Sequence, residues 1–155
     1  MGPSGCGKST IAGRAAKQRG EPYIEGDDHH PPENRAKMAS GRPLTDEDRV
    51  IWLDNLQREV AKTNADCIWL ACSALTPFVQ MRLQQDAQRT VRFVLLDVPV
   101  SMLEQRLRER SEHFMPPELL QSQIDALVPP ENALRVDASR PQAEVIKHIL
   151  QLLDH

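Results

Sequence analysis

No window of the 155 residues approaches the roughly 18 consecutive apolar residues that a membrane-spanning helix needs. The opening MGPSGCGKST has neither the basic n-region nor the apolar h-region of a secretion signal, so the expected location is the cytoplasm, with no membrane partner. Positive charge is not in excess. Nineteen Lys and Arg against 22 Asp and Glu give a formal net charge of -3, which argues against a dedicated nucleic-acid binder and still allows a local positive pocket for a phosphorylated ligand. Cysteine is scarce and odd in number. Cys67 and Cys72 lie five apart in CIWLAC, a separation that sends strand side chains to opposite faces, and no Cys-x-x-Cys or Cys/His spacing suggests zinc. Free, buried thiols in a reducing compartment are expected. Repeats, linkers and low-complexity tracts are also missing. The remainder, 40% hydrophobic and 26% charged, is that of one globular domain over residues 1–155.

Periodicity and punctuation predict alternating helices and strands. Ser9 to Arg19 reads as a helix ended by Gly20, then PYIE as a short strand, and GDDHHPPEN as a loop in which Pro31 and Pro32 oppose early helix. Glu33 to Ser40 is a short helix. Thr45, followed by Asp46, Glu47 and Asp48, is an N-cap with acids at the positive end of a helix dipole, and Val50, Leu53, Leu56 and Val60 form its buried stripe to about Lys62. Cys67 to Cys72 and Val91 to Val98 are nearly continuous apolar runs, as in parallel strands covered on both faces, with a helix over Thr76 to Gln85 between them. A helix from Met102 to Arg110, another after Pro116 and Pro117, a strand at Ala133 to Val136 and a last helix from Gln142 to Leu153 complete the pattern. Strands alternating with helices predict an α/β fold with a parallel sheet.

Gly2-Pro3-Ser4-Gly5-Cys6-Gly7-Lys8-Ser9 matches the phosphate-binding loop G-x-x-x-x-G-K-[ST]. Glycines let the backbone curl so that successive N–H groups face one anion, and the following helix adds its positive dipole end. Gly2, Ser4, Gly5, Cys6, Gly7, Lys8, Ser9 and Thr10 are the expected nucleotide-binding residues. Lys8 supplies charge at the β- and γ-phosphates, and the Ser9 hydroxyl is placed to ligate Mg²⁺. A GTPase would need Asn-Lys-x-Asp and Asp-x-x-Gly, and neither occurs. A kinase for a small molecule or nucleotide remains.

The segment EGDDHHPPENRAKMASGRPLTDEDRVIWL, Glu25 to Leu53, carries the pattern G-D-x-x-H-P-x-x-N-x-x-K-M-x-x-G-x-P-L-x-D-x-D-R-x-x-W-L, and strongly resembles the gluconokinases among the P-loop small-molecule kinases. The resemblance continues through Cys72-Ser73-Ala74-Leu75, His113-Phe114-Met115 and LLQSQ at Leu119 to Gln123, nearly the whole chain. It implies transfer of the γ-phosphoryl of ATP to the 6-hydroxyl of D-gluconate, with Mg²⁺ as cofactor and a homodimer as the common assembly. It also implies a three-layer α/β/α P-loop fold with sheet order 2-3-1-4-5.

Phosphoryl transfer needs a carboxylate near the acceptor hydroxyl, and Asp27, at the end of PYIE, is the candidate. His30 is expected to hydrogen-bond a sugar hydroxyl. The substrate carboxylate calls for a cation, with Arg49 first and Lys37 and Arg35 behind it. His113 falls among the substrate-binding positions implied by the resemblance. Arg106 and Arg110 precede SEHFMPPE, in the place of a lid spanning about residues 110–128, where their charge suits the moving phosphoryl group. Asp97 is read as a strand-end residue, and His29, His148 and His155 match nothing.

Two stretches depart from the pattern. A basic residue and a Tyr-Arg pair usually follow Cys72-Ser73-Ala74-Leu75, where this chain has Thr76-Pro77-Phe78-Val79-Gln80, and Ser111-Glu112 stands where Lys-Gly is common. Another hydroxylated sugar acid, or a nucleotide-binding relative without turnover, therefore stays open as an alternative. The four recognisable strands also omit the central one expected before a P-loop. About six or more apolar-rich residues are expected upstream of Met1 to supply it.

Overall fold

The computed structural model describes residues 1–86, 89–109 and 119–154. Helix α1 is Lys8–Arg19, entered from Gly7 and closed by Gly20 in the left-handed conformation at φ 66°. Strand β1, Tyr23–Glu25, leads into a 3₁₀ turn at Gly26–His29 and helix α2, Pro32–Ala39. Pro32 starts this helix rather than opposing it, because the first helical position has no intrahelical use for an N–H. Helix α3, Asp46–Lys62, opens with a reciprocal capping box between Thr45 and Asp48. Then follow β2, Trp69–Ala71; α4, Pro77–Asp86; β3, Val94–Asp97; α5, Val100–Glu109; α6, Leu119–Ala126; β4, Leu134–Asp137; and α7, Gln142–Leu153.

The strands pair in parallel as β1 with β2, Ile24 opposite Leu70, and β3 with β4, Leu96 opposite Val136. That is the 2-3 and 4-5 pairing of the expected sheet order. Between the two pairs, Met1 accepts from Leu96 N–H at 3.0 Å and donates to the Val94 carbonyl, while Gly2 N–H donates to the Ser73 carbonyl at 3.1 Å. Residues 1 and 2 thus occupy the centre of the sheet, and the loop they open is anchored to both halves.

Two apolar clusters fill the layers. Ile11, Ala15, Leu103, Val136, Val145 and Ile149 belong to the one joining α1, α5 and α7 with β4, and Trp52, Leu53, Leu56, Val79, Leu83 and Phe93 to the one under α3 and α4. Burying each of the larger side chains contributes about 1.5–3 kcal/mol. In α3 the buried stripe is Trp52, Leu53 and Leu56, whereas Val50 is exposed and Val60 half-buried. The helix is turned so that Trp52 faces the 3₁₀ turn, where its Nε1 donates to the Gly26 carbonyl at 2.8 Å. Cys6 and Cys72 are buried free thiols, but Cys67 is exposed. It precedes the first ladder contact of β2, in which Trp69 N–H donates to the Pro22 carbonyl. No helix among the described residues is long and apolar enough to cross a membrane.

Candidate active site

The loop ahead of α1 is held open by conformations that suit glycine. Gly5 lies at φ 87°, and a Cβ there would stand 3.2 Å from the Leu103 carbonyl, so α5 packs against the bare backbone. No side chain caps the N-terminus of α1. Its first-turn amides, those of Lys8, Ser9 and Thr10, are the donors that a helix start leaves without intrahelical partners. The Lys8 ammonium folds back onto the Gly2 and Pro3 carbonyls at 2.9 and 3.0 Å, so its charge is held at the loop. Cys6 contributes its backbone to the loop, while its side chain is 1% exposed in the core.

Beside this loop lies a cavity of about 490 Å³, lined among others by Ser4, Lys8, Asp27, His30 and Arg49. Five side chains singled out in the sequence therefore share one space, although they come from the P-loop, the 3₁₀ turn, the His30 cap that follows it and α3. Gly26 makes the turn possible: a Cβ there would lie 2.5 Å from the Ala71 carbonyl, so only glycine lets β1 run into the turn against β2. The Asp27 carbonyl accepts from Arg35 Nη2 at 3.0 Å, which fixes the backbone under a carboxylate whose side chain is 38% exposed. Arg49 pairs with Asp46 at 2.7 Å, and both line the cavity.

His30 stacks on Trp52 with centroids 4.5 Å apart and planes 13° from parallel. Burial, followed by the positive charges of Arg35 and Arg49, lowers its pKa to about 4. Asp27 Oδ1 stands 3.9 Å from Nε2, a contact that favours the charged ring. At that separation it is outweighed by the desolvation of a side chain only 7% exposed. His30 is accordingly neutral near pH 7, an imidazole able to donate from one nitrogen and accept at the other.

Other expected residues are placed elsewhere. Lys37 does not line the cavity; its ammonium pairs with Asp48 at 2.5 Å and, as the largest cause, lowers that carboxyl's pKa to about 2. Arg35 does not line the cavity either; its Nη2 donates to the Asp27 carbonyl and its Nε to that of His30. Arg106 approaches the loop from α5, donating at 3.2 Å to both the Gly5 and Ala138 carbonyls. Arg110 and His113, with residues 110–118 of the expected lid, lie outside the described residues. Asp97 is an exposed strand-end residue.

Three polar contacts had no role assigned from the sequence. Gln123 of α6 accepts from the Ser4 N–H at 2.7 Å and so reaches the P-loop from 119 residues away. Asn34 bridges α2 to α3 through the Asp48 carbonyl, and Trp52 is both a platform for His30 and a donor to Gly26. All three fall within the quoted resemblance, but their pairing partners are set by tertiary contact, which periodicity does not encode.

The donor set also suits a hard divalent cation arriving with a nucleotide. Ser9 is exposed at the start of α1, within hydrogen-bonding reach of the Tyr23 hydroxyl, which itself donates to Glu25 at 2.5 Å. No cluster of three or more metal-ligating side chains occurs among the described residues. One hydroxyl, with phosphate and water oxygens making up the shell, is the environment Mg²⁺ accepts.

A family model described as an AAA domain matches residues 1–130. The gluconokinase of Gluconobacter oxydans (strain 621H) is 38% identical, the match covering 97% of this chain and 87% of that protein. Among solved structures, a gluconokinase from Sinorhizobium meliloti 1021 is 36% identical with a TM-score of 0.82, covering 100% of this chain and 95% of the other. A sugar kinase from Janibacter sp. HTCC2649 is 39% identical with a TM-score of 0.88, covering 99% and 91%. An APS kinase from Mycobacterium tuberculosis, 20% identical with a TM-score of 0.63, shares the fold. With a P-loop at the sheet centre, a cavity beside it that holds Lys8, Asp27 and Arg49, and these relatives along almost its whole length, the chain belongs to the gluconokinase family of P-loop kinases.

Proposed function

We propose that this chain phosphorylates D-gluconate at its 6-hydroxyl with ATP, giving 6-phosphogluconate and ADP. The observation that carries the reading is the convergence of Lys8, Asp27, His30 and Arg49 on one cavity. The amides of Gly5, Gly7, Lys8, Ser9 and Thr10 receive the phosphates while Gly2 N–H stays on the Ser73 carbonyl, and Lys8 exchanges its two loop carbonyls for phosphate oxygens. Ser9 would hold Mg²⁺, which neutralises phosphate charge when bound. The 6-hydroxyl oxygen forms its bond to the γ-phosphorus as the bond to the bridging oxygen breaks, the electron pair leaving with ADP. Asp27 accepts the hydroxyl proton, and His30 holds a substrate hydroxyl. Arg49 pairs with the substrate carboxylate in competition with Asp46, and Arg106, beside Gly5, adds positive charge behind the loop. Lys37 acts through Asp48, outside the cavity. Arg110 and His113 are proposed contributors from a lid over about residues 110–128. A single kinase domain over 1–155, a homodimer and a cytoplasmic location complete the reading, all three on the strength of the family.

A coupled ADP-release assay with ATP, Mg²⁺ and a panel of sugar acids tests this. Turnover is expected with gluconate, falling at least about a hundredfold in Lys8→Ala and in Asp27→Asn. Preference for a different acid would move the substrate within the same chemistry, since Thr76 of the divergent 76–80 stretch also lines the cavity. ATP binding without turnover on any acid would refute the kinase assignment.

A further inference from the structure

Asn34 is 4% exposed, and its Nδ2 donates to the Asp48 backbone carbonyl at 2.8 Å. A carbonyl oxygen can only accept, so this end of the carboxamide must be the NH₂. The same nitrogen stands 3.5 Å from His30 Nδ1. With one hydrogen committed to Asp48, the other faces the ring, and it is accommodated only if Nδ1 carries a lone pair. At the far side of the ring, Nε2 faces Asp27 Oδ1 at 3.9 Å, where an N–H is favoured over a lone pair. From this juxtaposition we infer that Asn34 is a positioning residue that holds neutral His30 in its Nε2–H tautomer, making His30 a hydrogen-bond donor in the cavity and leaving Asp27 as the proton acceptor.

The consequence for chemistry rests on the reading above, in which Asp27 and His30 meet the acceptor hydroxyl. An oxygen about 2.8 Å from both Nε2 and Oδ1 would sit at the apex of a triangle with an angle of roughly 90°. There it accepts from Nε2–H and donates to Asp27. When it attacks phosphorus its proton passes to the carboxylate, while the imidazole proton stays where it is. The opposite tautomer would set two acceptors against one hydroxyl hydrogen and leave the oxygen without a donor. The ring stays neutral in this setting: Asp27 and His29 face it from the 3₁₀ turn, Arg35 from α2 and Arg49 from α3, and Trp52 covers one side. The two guanidiniums and burial together outweigh the one carboxylate.

Long-range ¹H–¹⁵N correlation on the full chain with labelled histidine, at neutral pH and without ligand, reads the tautomer directly, with His30→Gln identifying the signal. The Nε2–H pattern is expected. Asn34→Asp replaces the NH₂ by an acceptor and is expected to move the proton to Nδ1; Asn34→Leu removes the bias while keeping volume. In gluconate turnover both variants should lower kcat about tenfold to a hundredfold, as loss of an orienting partner does for metal-bound imidazoles, and leave KM for ATP unchanged. A merely structural role, loosening the first turn of α3 where Asp48 and Arg49 sit, would raise KM for gluconate with kcat kept and leave the tautomer in place. An Nδ1–H pattern in the unaltered chain, or no change in Asn34→Asp, overturns the inference. Should gluconate prove not to be a substrate while the Nε2–H pattern is present and shifts in Asn34→Asp, the assignment of Asn34 stands and the proposed substrate falls.

Discussion

His30 couples the chemistry of the site to the stability of the fold. Its folded-state pKa of about 4 lies below the ordinary 6.5, so between these values the unfolded chain binds more protons than the native one. The stability it contributes is therefore fully present above pH 6.5 and is lost as pH falls toward 4. For a ring this buried the loss is on the order of 3 kcal/mol across that window. Urea unfolding at pH 7, 5.5 and 4.5 should show the midpoint falling with acid, with a shallower fall in His30→Asn. Equal slopes in the two proteins would mean that other groups govern the acid limb. At this scale the P-loop and Asp27 were legible in the sequence, since backbone curling and a strand-end carboxylate are local features. The neutrality of His30 was not legible: it arises from Trp52, Arg35 and Arg49, each distant in sequence or on another element.

Helix α3 shows what is legible at the level of elements. Thr45 followed by Asp48 spells out a capping box, and Thr45 Oγ1 accepts from Asp48 N–H at 3.3 Å while Asp48 Oδ2 accepts from Thr45 N–H at 2.7 Å. Thr45→Ala should cost about 1 kcal/mol, a fall in melting temperature of roughly 2–4 °C. The first turn of α3 also carries Arg49 and presents Asp46 to the cavity. Fraying there should raise KM for the acid substrate and leave KM for ATP unchanged, and steady-state kinetics with each substrate varied in turn separates the two. The rotation of the helix was less legible. Val50, Leu53, Leu56 and Val60 and Trp52, Leu53 and Leu56 are both acceptable helical stripes, and the choice falls to the second because Trp52 is bound to Gly26 and stacked on His30. The functional site, more than the apolar pattern, sets which face is inside.

At the scale of the whole molecule, the cavity is bounded by two halves that meet across the sheet, and a single buried amide fastens its far wall. Gln80 of α4 is 6% exposed and donates through Nε2 to the Ala74 and Val128 carbonyls, both at 2.8 Å, while Val128 N–H donates to Leu75 at 2.9 Å. Ala74 and Leu75 follow β2, and Val128 leads toward β4, so these bonds join the β1–β2 half to the β3–β4 half. Ala74 is held at φ 45°, a left-handed conformation that costs a residue with a Cβ roughly 1–2 kcal/mol. Gln80 lies in the stretch that departs from the family pattern, and no local signal marks it as anything but a helix residue. Gln80→Met keeps much of the volume and removes both bonds. The Val128 carbonyl belongs to an exposed residue and can turn to water, whereas Ala74 is 2% exposed, so the orphaned Ala74 carbonyl sets the loss at about 2 kcal/mol. Melting should fall by about 4–8 °C. Gln80→Glu distinguishes the hydrogen bonds from packing: its carboxylate faces two acceptors when ionised, and its protonated form can restore one bond. Relative to the unaltered chain at the same pH, Gln80→Glu should be more destabilised at pH 8 than at pH 5, and Gln80→Met equally at both. If Gln80→Glu shows no such pH difference, Gln80 holds the two halves through its bulk and not through its amide.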